Sequence, residues 1–184
     1  MGKIILICLS FALIVGSCNL NKEDKVKLDE FNVKMRTESL NKAVVQKYLD
    51  GLNKNDTTLY EGLYTQLFSP DCKTYIPSGN PKFLTNSESI QSQKFTFKAV
   101  PDAHWKIEEI YADGNTVIVR LWTTATNTGV FNGMPPTNKK AGLGNIAIFK
   151  LENEKIIEQR EEYDQLGLLT QLGFGLVPPS IEKK

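Results

Sequence analysis

The amino-acid sequence predicts an α+β fold in which a curved antiparallel sheet wraps around N-terminal helices. Apolar residues recur at helical spacing in the first half of the chain. In the second half, long runs rich in β-branched and aromatic residues alternate with short turns. Helices followed by a meander of strands indicate a layered fold, and a sheet that buries one face against helices leaves a concave interior for a ligand.

Three helices are predicted in the first half. The first covers residues 39–52, whose apolar side chains share one helical face. The second begins near Asp56 or Thr57 as N-cap and ends at residues 69–71. Its inward residues are expected to be Leu59, Leu63, Leu67 and Phe68. A third, shorter helix should be capped by Asn86 or Ser87.

Four strands and a closing helix are predicted in the second half. The strands cover residues 104–111, 116–126, 141–151 and 156–164, and the turn after the first contains Asp113-Gly114. The double proline at 135–136 marks a loop. A short helix over residues 166–172 ends at Gly173.

The N-terminus predicts export. Lys3 precedes an apolar stretch over residues 4–15, which suits a signal peptide and is shorter than the ~20 residues that cross a bilayer. The ending Val15-Gly16-Ser17-Cys18 resembles the lipobox of bacterial lipoproteins, which implies lipidation of Cys18. An ordinary cleaved signal with a nearby cysteine is the alternative. We expect a cell-envelope protein that is lipid-anchored to a bacterial membrane, with the outer membrane favoured and its face left open.

This interpretation divides the chain into four parts. They are a signal peptide (1–17), the lipidated Cys18 with a polar tether (18–37), a globular domain (38–174) and a C-terminal tail (175–184). Of the three cysteines only Cys72 would lie in the domain, where we expect a small buried residue rather than a nucleophile.

Composition excludes several partners. The chain has 22 basic and 21 acidic residues, so no basic excess favours nucleic acid. There is no CxxC pair or Cys/His cluster, so the sequence predicts no metal site. The expected partners are a small hydrophobic or amphipathic ligand and, through Cys18, a membrane.

Four stretches resemble the SnoaL-like ester cyclase family. They are the helix and turn over residues 41–56, the Pro-Asp-Ala-His run at 101–104, the loop TGVFNGMPPT at 128–137 and the segment EEYDQLGLLTQLG at 161–173. The resemblance covers about residues 38–174 in the same order and spacing. It implies a cone-shaped α+β barrel of the nuclear-transport-factor-two-like, or cystatin-like, superfamily. Cyclases of this family close a ring by an intramolecular aldol reaction without a metal or organic cofactor.

The resemblance also implies a candidate catalytic residue, Asp164, as the acid/base. The residues themselves leave a second role open, because an Asp at the start of a helix is a good N-cap. Strand alternation puts Arg160, Glu162 and Asp164 on one face, either lining the cavity as ligand-binding residues or lying on a wet outer face. In the second case Ile157, Gln159, Glu161 and Tyr163 point inward. The alternation of side chains along the strand does not decide between these two arrangements.

Four further residues are candidates on the predicted strands. His104, the only histidine, is a candidate second acid/base, although a lone histidine at a strand start is more often structural or solvent-exposed. Arg120 and Trp122 share strand parity and are candidate substrate-binding residues, with Glu162 as a partner for Arg120. Asn145 is expected either to reach the cavity or to mark a bulge.

Three classes of function fit these patterns, because a fold does not decide a function. The first is a cofactor-free cyclase, isomerase or related enzyme acting on a small carbonyl compound. The second is a lipoprotein that binds a small molecule in the same cavity. The third is an interaction module whose open sheet face forms a homodimer or docks a partner.

Overall fold

The computed structural model describes residues 21–131 and 133–175. The predicted signal peptide, Cys18 and nearly all of the tail lie outside these residues. The chain divides into two compact units between Val33 and Lys34, and the site described below belongs to the second unit. Within the described ranges, no helix combines the length and apolar character that a membrane crossing requires.

The element order confirms the α+β class. The described part of the chain contains four helices and five strands, in the order α1 (Lys22–Leu52), α2 (Thr57–Leu67), β1 (Phe68–Tyr75), α3 (Asn86–Ala99), β2 (His104–Asp113), β3 (Thr116–Thr126), β4 (Lys140–Glu152), β5 (Lys155–Tyr163) and α4 (Gln165–Leu172). The strand order in the sheet is β1-β5-β4-β3-β2. The sheet is curved but unclosed, and β1 pairs with β5 in parallel while the other pairs are antiparallel.

The strand predictions of the second half agree with the structure to within two residues at each end. Asp113 ends β2 and Gly114 takes a positive φ of 55° in the tight turn to β3, as the Asp-Gly pair predicts. Along β3, Val117, Val119 and Leu121 are buried, and the residues between them face outward. One face of the sheet therefore packs on the helices.

The first half differs from the predictions at several points. Helix α1 begins at Lys22 rather than at Ser39. Its early residues have good helix propensity, but they lack the continuous apolar stripe from which a helix is predicted. Strand β1 was not predicted, since it contains Pro70, but an edge strand tolerates a proline. Helix α3 is capped by Thr85, which forms a capping box with Glu88, and has 14 residues, so it is longer than α2.

The inward face of α2 is mainly aromatic, although Leu67 and Phe68 are buried as predicted and Leu63 packs against the core. Leu59 is 43% exposed, whereas Tyr60 and Tyr64 are buried. Tyr64 stacks on Phe68 with ring centroids 3.8 Å apart, and Tyr48 of α1 meets Phe68 edge-on at 4.9 Å. These aromatic pairs join α1, α2 and the start of β1 into one core. Cys72 is buried in the same core, as expected, and burial raises the pKa of its thiol to about 11.

Candidate functional site

The concave face of the sheet and the helices enclose a cavity of about 280 Å³. Most of its walls are apolar or aromatic, with Leu121, Leu143 and Phe149 from the sheet and Tyr48 and Tyr60 from the helices. An apolar hollow with a few polar groups is the usual form of a small-molecule site. Its volume lies near the lower end of the ~300–1,000 Å³ typical of such sites, which fits a small ligand.

A hydrogen-bonded chain of three polar residues lies on the sheet side of this cavity. Asn145 donates through Nδ2 to Oε1 of Glu161 at 2.8 Å. The Thr123 hydroxyl donates to Oδ1 of the same asparagine at 3.0 Å. Thr123 and Asn145 are both buried, and all three residues line the cavity. The Asn145 amide is therefore held on both sides and presents its N–H to the carboxylate.

Glu161 faces the cavity because of its position on β5. Gln159, Glu161 and Tyr163 alternate with Arg160 and Glu162 along this strand, and the first three line the cavity. Burial raises the pKa of Glu161, while hydrogen bonds from Asn145 and Gln159 act in the opposite direction. A carboxyl whose pKa is raised toward neutral pH suits proton transfer in both directions.

Tyrosine hydroxyls form a second polar group at the helix side. Burial raises the pKa of Tyr48, Tyr60 and Tyr64, so these hydroxyls stay protonated. The Tyr64 hydroxyl lies 3.3 Å from the hydroxyl of Thr74, which is itself buried. They offer neutral hydrogen-bond donors around the hollow rather than charges.

Helix α3 contributes a third wall, and this wall is polar. Ser89, Gln93 and Thr96 line the cavity at spacings of four and three residues, which places them on one helical face. The side-chain nitrogen of Gln93 is buried and has no hydrogen-bond partner among the described residues. A helix that packs on a dry core normally presents apolar residues at such positions.

Asp164 is the N-cap of α4. Its carboxylate accepts a 2.8 Å hydrogen bond from the backbone N–H of Gly167. The residue is exposed and is not among the described residues that line the cavity. The N-cap alternative is thus confirmed, and the structure does not bring Asp164 into the candidate site. The physical reason is that the strand has ended, so the alternation of β5 no longer sets the direction of this side chain.

Arg160 and Glu162 lie on the outer face of the sheet, and the prediction that they line the cavity is wrong. The Arg160 guanidinium pairs with Glu158 at 3.0 Å and lies 4.1 Å from the ring centroid of Tyr75. Glu162 is exposed and accepts a hydrogen bond from the Ser78 hydroxyl. The opposite parity, with Gln159, Glu161 and Tyr163 inward, is the one that the fold adopts.

Arg120 and Trp122 also face outward, in contrast to the prediction. The Arg120 guanidinium lies 3.3 Å from Glu108 and 3.8 Å from Glu109, both on the neighbouring strand β2, and Glu162 is not its partner. Trp122 is 43% exposed and covers Gly142, where an added Cβ would lie 2.9 Å from its ring. Both side chains point outward because the buried residues of β3 occupy the alternate positions.

His104 begins β2 opposite Thr124 and is exposed outside the cavity. The structure therefore supports its solvent-exposed interpretation and not a place in the site. Asn145 does reach the cavity, so this one of the seven catalytic and substrate-binding candidates is correctly located. The prediction missed Glu161 and Gln93 as site residues. The alternation of side chains along β5 could have indicated Glu161. That indication requires knowledge of which face of the sheet the helices cover.

No group of three or more His, Cys, Asp or Glu side chains within the described ranges is arranged to hold a metal ion. The expectation of a metal-free and cofactor-free site stays a prediction.

Three solved structures of similar shape have low sequence identity to this chain. A protein from Jannaschia sp. CCS1, provisionally named a SnoaL-like polyketide cyclase, has a TM-score of 0.69 at 20% identity over 78% of this chain and 96% of its own. AclR from Streptomyces galilaeus, provisionally named a hydroxylase, has a TM-score of 0.65 at 22% identity, over 74% of this chain and 97% of its own. These likenesses establish the fold.

A third structure, IdmH from Streptomyces antibioticus, is provisionally named a polyketide cyclase. It has a TM-score of 0.62 at 19% identity and covers 73% of this chain and 99% of its own.

No curated protein sequence matches this chain significantly. The model of the SnoaL-like polyketide cyclase family matches residues 42–172, which include every element from the end of α1 to α4. The chain therefore belongs to the SnoaL-like polyketide cyclase family.

Proposed function

We propose that the protein is a cofactor-free acid/base enzyme that acts on a small carbonyl compound in the cavity, with Glu161 as the group that moves the proton. The observation that carries this proposal is the half-buried Glu161 carboxyl, which lines a largely apolar cavity and accepts a hydrogen bond from Asn145 at 2.8 Å. Membership of a cyclase family supports proton-transfer chemistry of this kind. The assignment replaces Asp164, which caps a helix on the surface.

The proposed reaction begins when the ionised carboxylate of Glu161 takes a proton from carbon next to a carbonyl group. The electron pair of the broken C–H bond moves into an enolate, and the proton stays on the carboxyl. In a cyclisation the enolate carbon then attacks a second carbonyl carbon of the same molecule and forms a C–C bond. The new alkoxide takes the proton back from Glu161, so the enzyme returns to its starting state.

The neighbours of Glu161 have distinct parts in this scheme. Asn145 orients the carboxyl through one oxygen, and Thr123 keeps the asparagine amide in the donating orientation. The tyrosine hydroxyls remain neutral donors, which suits the stabilisation of an enolate or alkoxide oxygen. The apolar part of the walls would reduce the contact of a charged intermediate with bulk solvent.

We further propose that this activity resides in the cell envelope, on a protein anchored through lipidated Cys18. The support is the sequence of residues 1–18, with its short apolar run and its lipobox-like ending. Mass spectrometry of the mature N-terminus tests this. An intact N-terminus, or a cleaved chain with an unmodified Cys18, would contradict it.

Small-molecule binding without turnover is the second candidate, and the position of Asp164 favours it. The acid/base implied by the family resemblance lies outside the cavity. The hollow itself is lined mainly by apolar and aromatic side chains, as in a carrier. Under this alternative, Glu161 would serve as a hydrogen-bonding group for the ligand and no bond to carbon would break.

The exchange of α-protons for deuterium distinguishes the two candidates. One- and two-ring aryl ketones, such as acetophenone and 1-tetralone, are incubated with the protein in D₂O and followed by proton NMR. We expect the protein to accelerate exchange. Glu161→Gln should lower the exchange rate that the protein produces by about 10²–10⁴-fold, the usual contribution of general acid–base catalysis. Glu162→Gln, which changes an exposed neighbour on the outer face, is the matched control.

Two outcomes would contradict the enzyme proposal. Undiminished exchange in Glu161→Gln would remove Glu161 as the base. Binding of the ketones without any acceleration of exchange would leave the carrier function in its place.

A further inference from the structure

The cavity contains one charged group and several neutral ones. Among the described lining residues, Glu161 is the one acidic side chain, and none of them is basic. A ligand that carries a carboxylate or phosphate would therefore lose its hydration without gaining a cation as partner. The lining favours an uncharged ligand.

Gln93 is one of two polar groups that line the cavity and have no partner among the described residues, and the other is the hydroxyl of Ser89, four residues earlier on the same helical face. The side-chain nitrogen of Gln93 is enclosed and has no partner within the described part of the chain. The Asn145 amide on the facing sheet, by contrast, is paired through both its oxygen and its nitrogen. Buried amide groups are normally paired, so an unpaired one that lines a hollow indicates a missing partner. The missing partner of an N–H group is a hydrogen-bond acceptor.

The position of Gln93 on α3 gives this acceptor a place in the cavity. Gln93 belongs to the helix wall, while Glu161, Asn145 and Thr123 belong to the sheet wall. Ser89 and Thr96 border Gln93 on the same helical face, so the helix side of the hollow is polar as well. A ligand that fills the hollow would meet hydrogen-bonding groups on both sides and apolar or aromatic side chains between them.

We infer that Gln93 is a specificity-determining residue that binds a carbonyl oxygen of an uncharged, small ring compound through its side-chain amide. This inference rests on the proposed function because it uses the same cavity. It does not require catalysis, since a carrier protein would bind the same carbonyl oxygen. It places the ketone or ester oxygen of the ligand at the helix wall. The carbon that loses its proton in the proposed reaction then faces the sheet wall.

Binding of matched ligand pairs tests the inference. The pairs are 1-tetralone with tetralin and 1-indanone with indane, which differ mainly in the carbonyl oxygen. Affinities are measured by ligand-observed NMR with the wild-type protein and two variants, Gln93→Leu and Gln91→Leu. Gln91 lies on the same helix but is exposed and outside the cavity lining, so it is the control for helix effects.

We expect the ketones to bind at least tenfold more tightly than their hydrocarbons in the wild type and in Gln91→Leu. The preference should fall below about threefold in Gln93→Leu, with hydrocarbon binding retained as evidence of an intact cavity. A preference that survives Gln93→Leu would overturn the inference, as would equal binding of ketone and hydrocarbon, or no binding by any of the four compounds. Tighter binding of 1-aminotetralin or of tetralin-1-carboxylate than of 1-tetralone would overturn the uncharged ligand class.

The binding experiment and the exchange experiment together separate this inference from the proposed function. Loss of ketone preference in Gln93→Leu together with unchanged exchange in Glu161→Gln would uphold the carbonyl-binding site and reject the enzyme. Exchange that depends on Glu161 together with a ketone preference independent of Gln93 would do the reverse.

Discussion

The side-chain amide of Asn145 donates to the carboxyl of Glu161 across neighbouring strands, with Nδ2 and Oε1 2.8 Å apart. The two residues are not directly opposite in the ladder, because Asn145 pairs with Tyr163 and Glu161 with Ala147. The contact is therefore a diagonal one on the concave face, where side chains two residues apart come within reach. It makes Asn145 one of two neutral neighbours, with Gln159, whose hydrogen bonds lower the pKa of the candidate acid/base.

Asn145→Leu should raise the pKa of Glu161 further. The substitution keeps the approximate size of the side chain but removes a hydrogen bond that favours the ionised carboxylate. A carbon-detected NMR titration of the Glu161 carboxyl measures this pKa in both proteins. Thr123→Val, which removes the bond to the asparagine Oδ1, should give a smaller shift in the same direction. A lower pKa in Asn145→Leu would contradict the role given to the amide.

The stability of the protein should depend on pH through Glu161. Its pKa is raised in the folded state, so the folded protein holds this proton more tightly than the unfolded chain does. The resulting stability is fully present below the unfolded pKa of about 4.3 and is lost as pH rises through the folded pKa. Glu161→Gln cannot titrate and should gain stability relative to the wild type as pH rises.

Urea denaturation of both proteins between pH 4 and pH 8 measures this difference. Carboxyls whose pKa is lowered, such as Asp102 and Glu158, act in the opposite direction but are present in both proteins, so they cancel in the comparison. Glu162→Gln is the control and should follow the wild type more closely. A constant difference between wild type and Glu161→Gln across this range would show that the carboxyl is not perturbed.

Asp164 and Gly167 should be energetically coupled through the N-cap of α4. A Cβ added at Gly167 would overlap the Asp164 carboxylate, which accepts the backbone N–H of that glycine. Asp164→Ala should cost about 1 kcal/mol of unfolding free energy, as a lost N-cap does. Gly167→Ala should displace the cap in the wild type, but stabilise the Asp164→Ala background by about 0.5–1 kcal/mol, because alanine is the better helix former.

A double-mutant cycle in urea measures this coupling, for which we expect about 1 kcal/mol. Proton exchange on a ketone, followed in the same variants, should change little. Additive effects of the two substitutions would mean that the cap and the glycine act independently. A loss of exchange in Asp164→Asn as large as in Glu161→Gln would return the acid/base role to Asp164.

The sequence predicted the second half of the fold better than the first for physical reasons. Strands with regular alternation and an Asp-Gly turn carry their own boundaries, whereas β1 contains Pro70 and depends on its edge position in the sheet. The first turns of α1 lack an apolar stripe, so their helical state was not visible as periodicity.

The site was less predictable than the fold. Alternation put Arg160 and Glu162 on one face of β5 and Glu161 on the other, but only the packing of the helices decides which face is inside. The family signature drew attention to Asp164, whose role in the structure is to begin α4. Gln93 lies on a helix that was expected to be short, so its place in the lining could not be foreseen.

Asn127 should be essential for the loop that connects β3 to β4. It is 2% exposed, and its Oδ1 accepts from both the backbone N–H and the hydroxyl of Thr137, at 2.9 and 3.1 Å. Its Nδ2 donates to the carbonyl of Gly129 at 2.8 Å. One side chain thus joins the two ends of the TGVFNGMPPT segment, and the buried side-chain hydrogen bonds have no replacement in alanine.

Asn127→Ala should therefore lower the free energy of unfolding by about 2–4 kcal/mol, the range for a broken buried hydrogen-bond network. Urea denaturation measures the loss, and the amide hydrogen of Thr137 should exchange much faster because its acceptor is gone. Thr128→Ala, at an exposed neighbour whose backbone N–H still bonds to Ala99, is the control and should stay within about 0.5 kcal/mol of the wild type. If Asn127→Ala also stayed within that range with Thr137 protected, the loop would be held by its backbone contacts alone.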